Sequence, residues 1–597
     1  MLRTQYAFEQ KGGFGMVRKL LRSVREYKTS SLLAPLFVTC EVILEVIIPM
    51  LMANLIDFGI EAGNMQYILK MGLALVIFCI VSLTFGALSG KYAAVASAGF
   101  AKNLREDMYN KVQEYSFSNI DKFSTASIVT RLTTDITNIQ NAYMMSIRVA
   151  VRCPIMLIFA LFMAFQINSH LAPIFVIAIP ILAVGLVIII SNAKRIFERI
   201  FRTYDKLNNV VQENLHGIRV VKSFVREDHE TEKFCSVSKE IYHDFSKAEK
   251  ILAFNAPLMQ FCAYGCMLLI SWLGAKLIVA SGNNPAVGMT TGDLTSMFSY
   301  TMQILMSLMM FSMVFVMITI SYASMERAEE ILDEKSDLHN PENPVYEVKD
   351  GSIEFDHVNF VYGKNADKLC LDNVNLKIPS GATVGIIGGT GSSKSTLVQL
   401  IPRLYDATEG AVKVGGRDVR EYDIESLREE VAMVLQKNVL FSGTIKDNLR
   451  WGKEDATDEE MRHVCQLAQA DEFIQTFPDG YDTYIEQGGT NVSGGQKQRL
   501  CIARALLKKP KILILDDSTS AVDTKTDALI RMAFREEIPN TTKIIIAQRV
   551  SSVEDADLIL VLDDGKINGM GTHQELLANN EIYREVYESQ QKGGLEE

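Results

Sequence analysis

Apolar residues follow two different patterns along the 597-residue chain. Up to about residue 330 they form long uncharged runs, whereas beyond about residue 350 short β-like runs alternate with helical ones. Each of six runs is near the ~20 residues that an α-helix needs to cross a bilayer. They are Leu32–Phe58, Tyr67–Ser89, Tyr143–Ile167, Leu171–Ser191, Phe254–Ala280 and Leu294–Ile320. The pattern therefore predicts six membrane-spanning helices followed by an α/β domain.

Basic residues predict the orientation of these spans. Arg18, Lys19, Arg22, Arg25 and Lys28 precede the first span. The connections after spans one, three and five contain no Lys or Arg, whereas the other two connections are long and basic. Because positive residues remain on the cytoplasmic side, we expect a multi-pass protein with both termini in the cytoplasm.

The two long connections, residues 90–140 and 192–253, keep a helical periodicity of apolar residues. Each contains one short polar interruption, Asn119–Ser127 in the first and Arg226–Lys233 in the second. This pattern predicts helices that extend beyond the bilayer and turn back at a segment that contacts another domain. A plain surface loop is the alternative.

The expected fold is an all-α six-helix membrane domain with long cytoplasmic helical extensions, fused to an α/β domain. We assign residues 1–30 to an amphipathic cytoplasmic elbow and 31–330 to the six spans. Residues 331–350 form a linker, because Asn340-Pro341-Glu342-Asn343-Pro344 breaks helices, and residues 351–597 form the α/β domain.

Composition narrows the function. The chain has a net charge of −11 and shows no basic stripe with interleaved aromatic residues, which argues against a nucleic-acid partner. Its nine cysteines show no CxxC spacing and are expected to be reduced thiols rather than disulfides or zinc ligands.

Two kinds of residue within the spans are candidates for a substrate cavity. Glu41 and Glu45 lie one turn apart on the first span, and a carboxylate inside a membrane usually faces a cavity or a partner. Pairing with Ser, Thr or Arg of a neighbouring helix is as plausible as binding a cationic solute. Met306 and Met310 belong to a cluster of methionines on the sixth span, which packing alone also explains.

A phosphate-binding loop follows the predicted strand 382–387. Its residues are Gly388, Gly389, Thr390, Gly391, Ser392, Ser393, Lys394, Ser395 and Thr396. In such a loop the backbone N–H groups surround phosphate, the lysine reaches the β and γ oxygens, and the following hydroxyl faces Mg²⁺. Ser393 replaces the last glycine of the GxxxxGKS/T pattern, so we expect an imperfect cradle.

A second pair of features lies between residues 491 and 523. The segment Val492, Ser493, Gly494, Gly495 and Gln496 opens a helix, whose free N–H groups suit an anion. The buried strand 512–515 then ends in Asp516 and Asp517, and an acidic residue at that position suits a magnesium ion shared with phosphates.

The phosphate loop, an isolated Gln436 after a strand, VSGGQ and ILILDD occur in this order behind six spans. Together they resemble an ATP-binding-cassette (ABC) exporter half-transporter over nearly the whole chain. In detail, the chain resembles the degenerate-site subunit of a bacterial heterodimeric multidrug exporter.

The resemblance implies a role for each matching position. Tyr362 would stack on adenine, although a strand tyrosine packed in the core is the alternative reading. Lys394, Ser395, Thr396 and Asp516 would hold phosphates and Mg²⁺, and Gln436 would sense both. Residues 492–496 would bind the γ-phosphate of ATP held by the partner, and Ser520 and Asp523 would communicate across the dimer.

Departures from the family pattern indicate that this chain's own site hydrolyses ATP poorly. Asp517 stands where the family has the general-base glutamate, and Gln548 stands where it has a histidine. One methylene less misplaces a proton acceptor, and glutamine cannot carry a proton. Gln487 also replaces a glutamate that usually precedes the VSGGQ segment.

These features predict one subunit of an ATP-driven heterodimeric exporter in a bacterial cytoplasmic membrane. ATP and Mg²⁺ are the expected cofactors. The expected partners are a second half-transporter with an intact glutamate and histidine, the bilayer, and an amphipathic small molecule. A lipid or peptide exporter and an ATP-gated regulatory or channel subunit are the alternatives.

Overall fold

The computed structural model describes residues 15–283, 288–363, 368–517 and 522–593. The chain divides into two units. The first consists of Met1–Gln113 and Thr125–Glu334, and the second consists of Glu114–Ser124 and Lys335–Glu597. The short segment Glu114–Ser124 therefore packs with the C-terminal part of the chain rather than with its sequence neighbours.

Long helices build the first unit, and the short helix Phe117–Lys122, which belongs to the second unit, interrupts them in the sequence. The helices are α1 (Lys28–Leu55), α2 (Met65–Gln113), α3 (Phe117–Lys122), α4 (Thr125–Thr130), α5 (Ile136–Ile167), α6 (Pro173–His216), α7 (Ile218–Ser223), α8 (Glu227–Leu252), α9 (Asn255–Ser281) and α10 (Thr291–Asp333). One π-helical turn, Ile56–Glu61, extends α1, and another, Arg131–Asp135, precedes α5.

In the described part of the chain, six helical runs are long and apolar enough to cross a membrane. The 49 residues of α2 span about 70 Å at ~1.5 Å per residue, more than twice the ~30 Å hydrocarbon core of a bilayer. The expected six apolar helices followed by an α/β domain are therefore confirmed.

The two predicted interruptions differ from the observed ones. Asn119–Ser127 was expected to be a polar turn, but it overlaps α3 and α4. The helix α3 forms because the side chains of Ser116 and Asn119 each bind the other's backbone N–H at its start. In the second stretch the helix breaks at residues 224–226, and α8 already starts at Glu227. Glu227, Asp228 and Glu230 lie in the first turn of α8, where negative charge favours a helix N-terminus.

The core of the first unit begins with a buried stripe on α1. Ala34, Val38, Val42 and Val46 repeat every fourth residue and are almost fully buried. Pro49 has no N–H, so it leaves the carbonyl of Glu45 without its intrahelical partner. On α10, the Tyr300 hydroxyl donates to the carbonyl of Val46 at 2.8 Å, and this bond ties α10 to α1.

The second unit contains β-sheets and shorter helices. Its strands are β1 (Ile353–Phe360), β2 (Leu371–Ile378), β3 (Thr383–Gly388), β4 (Glu409–Val414), β5 (Arg417–Asp418), β6 (Val431–Val434), β7 (Gly443–Thr444), β8 (Tyr484–Ile485), β9 (Ile512–Asp516), β10 (Thr542–Ile546), β11 (Leu558–Asp563) and β12 (Lys566–Gly571). Its remaining helices are α11 (Lys394–Gln399), α12 (Ile424–Glu430), α13 (Ile445–Arg450), α14 (Asp458–Leu467), α15 (Asp471–Gln475), α16 (Gly494–Leu507), α17 (Thr524–Glu537), α18 (His573–Asn579) and α19 (Glu581–Gly593).

The largest sheet has the strand order β12-β11-β3-β10-β9-β6. The pairs from β11 to β6 are parallel, and β12 pairs antiparallel at one edge. Every residue of β9 and β10 is buried, as expected for central strands whose two faces are both covered. A four-stranded antiparallel sheet, β2-β1-β4-β5, completes the unit together with the short pair β7-β8.

Candidate active site

The carboxyl ends of four adjacent strands bring the sequence motifs together. The strands β3, β10, β9 and β6 are neighbours in the sheet. Gly388 ends β3, Gln548 follows β10, Asp516 ends β9 and Gln436 follows β6. In open parallel sheets ligands bind at the carboxyl ends of the strands. The strand order thus brings together, at these ends, residues that lie far apart in sequence.

The phosphate loop joins β3 to α11. Gly388 has no room for a side chain, because a Cβ there would collide with the carbonyl oxygen of Leu562. In contrast, a Cβ at Gly389 or Gly391 would meet no atom within 4 Å. The outer face of the loop is thus open to a ligand, and α11 starts directly behind it at Lys394.

Ser393 adopts the backbone conformation that the glycine pattern requires. Its φ is +69° and its ψ is 25°, in the left-handed region that disfavours residues with a Cβ. The loop therefore keeps its shape despite the substitution, at a conformational cost located at this one residue.

Lys394 and Asp516 interact electrostatically in the site. The Lys394 ammonium donates to the carbonyls of Gly388 and Gly389 at 2.9 and 2.8 Å, and the Ser395 hydroxyl donates to the Asp516 carboxylate at 3.0 Å. Burial lowers the pKa of Lys394, against the raising effect of Asp516 and Asp517. Burial also raises the pKa of Asp516. Both ionisable side chains are therefore partly shielded from water.

Asp517 and Gln548 contact each other directly. The Gln548 side-chain amide donates to the Asp517 carboxylate at 2.7 Å. Asp517 has a φ of +49° and only 9% of its surface exposed. The Gln590 side chain of α19 accepts from the Val550 N–H at 2.9 Å and donates to the Gln548 carbonyl at 2.8 Å. Sequence patterns gave no signal for the role of Gln590, which lies 42 residues from Gln548.

Tyr362 lies at the edge of the site rather than in the core, with 41% of its surface exposed. Its hydroxyl donates to the side-chain oxygen of Gln399 at 3.0 Å and lies 3.1 Å from the Thr396 hydroxyl, within hydrogen-bond distance. Its ring meets the rings of Phe360 and Tyr405 edge-on, with centroids 4.8 and 5.2 Å apart. The hydroxyl thus ties Tyr362 to α11, the helix that follows the phosphate loop.

Tyr405 joins Tyr362 to the segment Glu114–Ser124. The Tyr405 hydroxyl donates to the Asp121 carboxylate at 2.7 Å. Asp337 accepts from the hydroxyls of Ser116 and Ser118 at 2.5 and 2.7 Å. Burial opposes ionisation of Asp337, but these hydrogen bonds prevail and lower its pKa. Sequence reasoning missed both Tyr405 and Asp337, since their partners lie more than 200 residues away.

The VSGGQ segment opens the 14-residue helix α16. Ser493 caps this helix: its Oγ accepts from the Gln496 N–H at 3.3 Å, and the Gln496 side chain accepts from the Ser493 N–H at 2.9 Å. Ser493 and Gly494 are exposed at the start of the helix, and Gly495 and Gln496, which are partly exposed, follow them in its first turn. The segment thus presents the N-terminus of a helix to solvent.

Asp523 caps the next helix, α17, by accepting from the Thr526 N–H at 3.0 Å. That bond lowers the pKa of Asp523. Ser520, the other residue expected to communicate across a dimer, lies outside the described residues.

The candidate cavity residues of the spans also lie near one another. The Arg152 guanidinium of α5 contacts Glu41 and Glu45 of α1 at 2.7 and 2.5 Å. Glu45, Met306 and Met310 line a common cavity, whereas Glu41 does not line it.

Comparison with known proteins identifies the class. Residues 31–309 match the family model "ABC transporter transmembrane region", and residues 371–520 match "ABC transporter". The chain is 35% identical over 574 residues to "Uncharacterized ABC transporter ATP-binding protein YfiB" of Bacillus subtilis, covering 96% of this chain and 98% of that protein. It is 33% identical over 518 residues to "ATP-dependent lipid A-core flippase" of Desulfotalea psychrophila, covering 86% and 89%.

The fold is also similar to a solved structure, "Structure of a bacterial Atm1-family ABC exporter with ATP bound". The TM-score is 0.78 at 25% identity, covering 95% of this chain and 98% of that one. The chain therefore belongs to the ABC transporter family. It is an ATP-driven exporter half-transporter, with one membrane domain and one ATP-binding domain in the same chain.

Proposed function

We propose that this chain is the degenerate-site subunit of a heterodimeric exporter that moves amphipathic or apolar compounds out of the cell. The observation that carries the proposal is the 2.7 Å hydrogen bond from Gln548 to Asp517. Two of the residues that depart from the family pattern therefore contact each other. This chain's own site then binds ATP but hydrolyses it slowly.

The chemistry of that pair supports slow hydrolysis. A general base must lie within hydrogen-bond reach of the attacking water. The Asp517 carboxylate is one methylene shorter than glutamate, and one of its oxygens already accepts from the Gln548 amide. Gln548 donates a hydrogen bond but carries no titratable proton. Binding and closure remain possible, while activation of water is impaired.

The remaining residues fit a magnesium nucleotide. Ser395 and Asp516 supply hard oxygen atoms 3.0 Å apart, and Gln436 supplies an amide oxygen, all of which are ligand types that Mg²⁺ accepts. Lys394 and the N–H groups of residues 388–396 would bind the phosphates, and Tyr362 would stack on the base.

The second site of the dimer would combine both chains. Ser493 and Gly494 at the start of α16 would bind the γ-phosphate of ATP held by the partner. Ser520 and Asp523 would take part in communication between the two sites. The partner would supply the intact glutamate and histidine, so turnover would come mainly from that composite site.

ATP would drive transport by binding one conformation better than another. Closure of the two ATP-binding domains would convert an inward-facing cavity into an outward-facing one. The protein would act in a bacterial cytoplasmic membrane with both termini in the cytoplasm.

A lipid substrate is the second candidate. The name of one relative, an ATP-dependent lipid A-core flippase, favours it. A channel or regulatory subunit is distinguished from both by a lack of transport against a gradient.

Copurification of the partner subunit followed by transport into inverted vesicles tests the proposal. We expect ATP-dependent accumulation of amphipathic compounds against a gradient, and stimulation of ATPase activity by the same compounds. Dissipation of a gradient without accumulation would indicate a channel, and stimulation by lipids alone would favour the second candidate.

A further inference from the structure

A cavity of about 280 Å³ lies in the six-helix unit, between α1, α5 and α10. Met302, Met306 and Met310 of α10 form much of its apolar wall, and Glu45, Arg152 and Gln303 form its polar side. Methionine side chains adapt to ligands of different shapes. The polar groups, in contrast, define which charge the cavity accepts.

One guanidinium serves two carboxylates beside this cavity. Arg152 contacts Glu41 at 2.7 Å and Glu45 at 2.5 Å, which leaves one negative charge in excess among the three groups. Glu41 lies deeper, with 15% of its side chain exposed against 35% for Glu45. Its Oε2 is buried and accepts no hydrogen bond from the described residues. The cluster is therefore incompletely neutralised on its carboxylate side.

Neighbouring backbone keeps the two carboxylates in different settings. Gly86 of α2 makes room for Glu41, since a Cβ at this glycine would lie 3.0 Å from the Glu41 carboxyl carbon. Arg148 lies against Gly90, one turn from Gly86, and does not line the cavity. Glu41 is thus enclosed by helices, whereas Glu45 reaches the cavity.

We propose that this cavity binds the cationic end of an amphipathic solute, and that Arg152 is the internal cation that this solute displaces from Glu45. The inference rests on the proposed export function and names its substrate class. Arg152 would keep its contact with Glu41 while Glu45 pairs with the solute. No carboxylate is left unpaired in either state, which matters because an unpaired charge in an apolar setting is costly.

The same arrangement disfavours anions and gives neutral solutes no electrostatic gain. An anion would have to compete with two carboxylates for one guanidinium. A neutral molecule would still use the methionine wall, so its binding should be insensitive to the charge at residue 45.

Equilibrium binding tests the inference without ATP. The full chain in lipid nanodiscs is titrated by calorimetry with benzyltrimethylammonium and with the neutral N-benzylacetamide. For Glu45→Gln we expect binding of the cation to weaken about tenfold, the effect of losing the electrostatic attraction between one carboxylate and the quaternary ammonium, with binding of the neutral probe unchanged. Two control variants separate charge from shape.

Glu45→Asp keeps the charge and should preserve the preference for the cation. Met306→Leu is the matched apolar control and should change the affinity for both probes alike.

Equal affinity of the native chain for both probes would overturn the inference, as would an unchanged affinity for the cation in Glu45→Gln. A parallel loss of both probes in Glu45→Gln would also overturn it, because the carboxylate would then act on cavity shape alone. Loss of the preference for the cation in Glu45→Asp would contradict it as well. If the cation binds as expected but inverted vesicles accumulate no solute, the export proposal fails and the cavity assignment stands.

Discussion

Two residues of the nucleotide site hold a side chain on a backbone that favours glycine or asparagine. Ser393 has a φ of +69° and Asp517 a φ of +49°. Aspartate tolerates this region better than most residues, whereas serine has no such advantage. The two positions therefore carry different constraints, although both depart from the family pattern.

Ser393→Gly is expected to stabilise the C-terminal unit. Relief of the left-handed strain is partly offset by the greater freedom of glycine in the unfolded chain, leaving a gain of about 0.5–1 kcal/mol. Thermal unfolding of the full chain measures it. Ser392→Gly is the matched control and should destabilise, because its buried hydroxyl donates to the Gly389 carbonyl at 2.8 Å. A lower unfolding midpoint for Ser393→Gly would contradict the assignment of strain.

Asp517→Glu alone is expected to raise ATPase activity by less than about tenfold, although a well-placed base contributes ~10²–10⁴. The longer carboxylate must adopt a less favourable backbone and still meets Gln548. Steady-state ATPase is measured in a heterodimer whose partner lacks its general-base glutamate, because the partner's composite site would otherwise dominate turnover. The ATPase activity of the double variant Asp517→Glu with Gln548→His should exceed that of either single variant. Full ATPase activity from Asp517→Glu alone would show that Gln548 does not limit hydrolysis.

At the scale of elements, helix α16 owes both its start and its expected function to Ser493. Its capping box with Gln496 satisfies one backbone N–H of the first turn, and other N–H groups of that turn have no partner within the helix. A change at Ser493 thus combines a loss of stability with a loss of anion binding, and the two effects must be separated.

Ser493→Ala is expected to lower ATPase activity of the heterodimer at least about 100-fold, comparable to removal of one donor from a charge-stabilising site. The cap itself contributes only ~1 kcal/mol to stability. Thr457→Ala is the matched control, since Thr457 and Glu460 form the same kind of capping box on α14. This variant should lower the free energy of unfolding by a similar amount and leave ATP turnover unchanged. Unaffected turnover in Ser493→Ala would refute a role of this segment in the partner's site.

Packing of Glu114–Ser124 against the rest of the second unit is expected to depend on pH. The pKa of Asp337 is lowered in the folded protein despite burial, because Ser116 and Ser118 donate to it. A lowered folded-state pKa contributes stability above the ordinary value of ~3.9, and this contribution is lost as pH falls through the folded-state pKa.

Hydrogen–deuterium exchange of residues 114–124, corrected for intrinsic rates, should therefore rise below about pH 4. In Asp337→Asn, exchange should already be faster at pH 7 and show less additional change on acidification. The same pH response in native protein and variant would mean that another group controls the segment.

At the scale of the whole molecule, the exporter is expected to need two different chains. This chain purified without a partner should hydrolyse ATP about 100-fold or more slowly than the heterodimer, because both sites of a homodimer would lack a well-placed base. Coexpression with the partner should restore turnover. Asp517→Asn, which affects only this chain's own site, should change heterodimer turnover much less. Full activity of the isolated chain would exclude the heterodimer model.

The sequence alone was sufficient for the six spans, the α/β domain and the nucleotide motifs. Apolar run length and periodicity are local properties, and each motif occupies consecutive residues, so no tertiary contact is needed to recognise it. The departures at Ser393, Asp517 and Gln548 are equally visible in the chain. The predicted extent of the second polar interruption, Arg226–Lys233, was wrong, because the acidic residues from Glu227 onward begin a helix there.

Only the tertiary structure decided which side chains meet. Strand order places Gln548 beside Asp517, 31 residues away. Helix packing places Arg152 between Glu41 and Glu45, more than 100 residues away. Asp337 holds Ser116 across 221 residues. These pairings depend on strand register, helix rotation and rotamer, which local patterns do not encode.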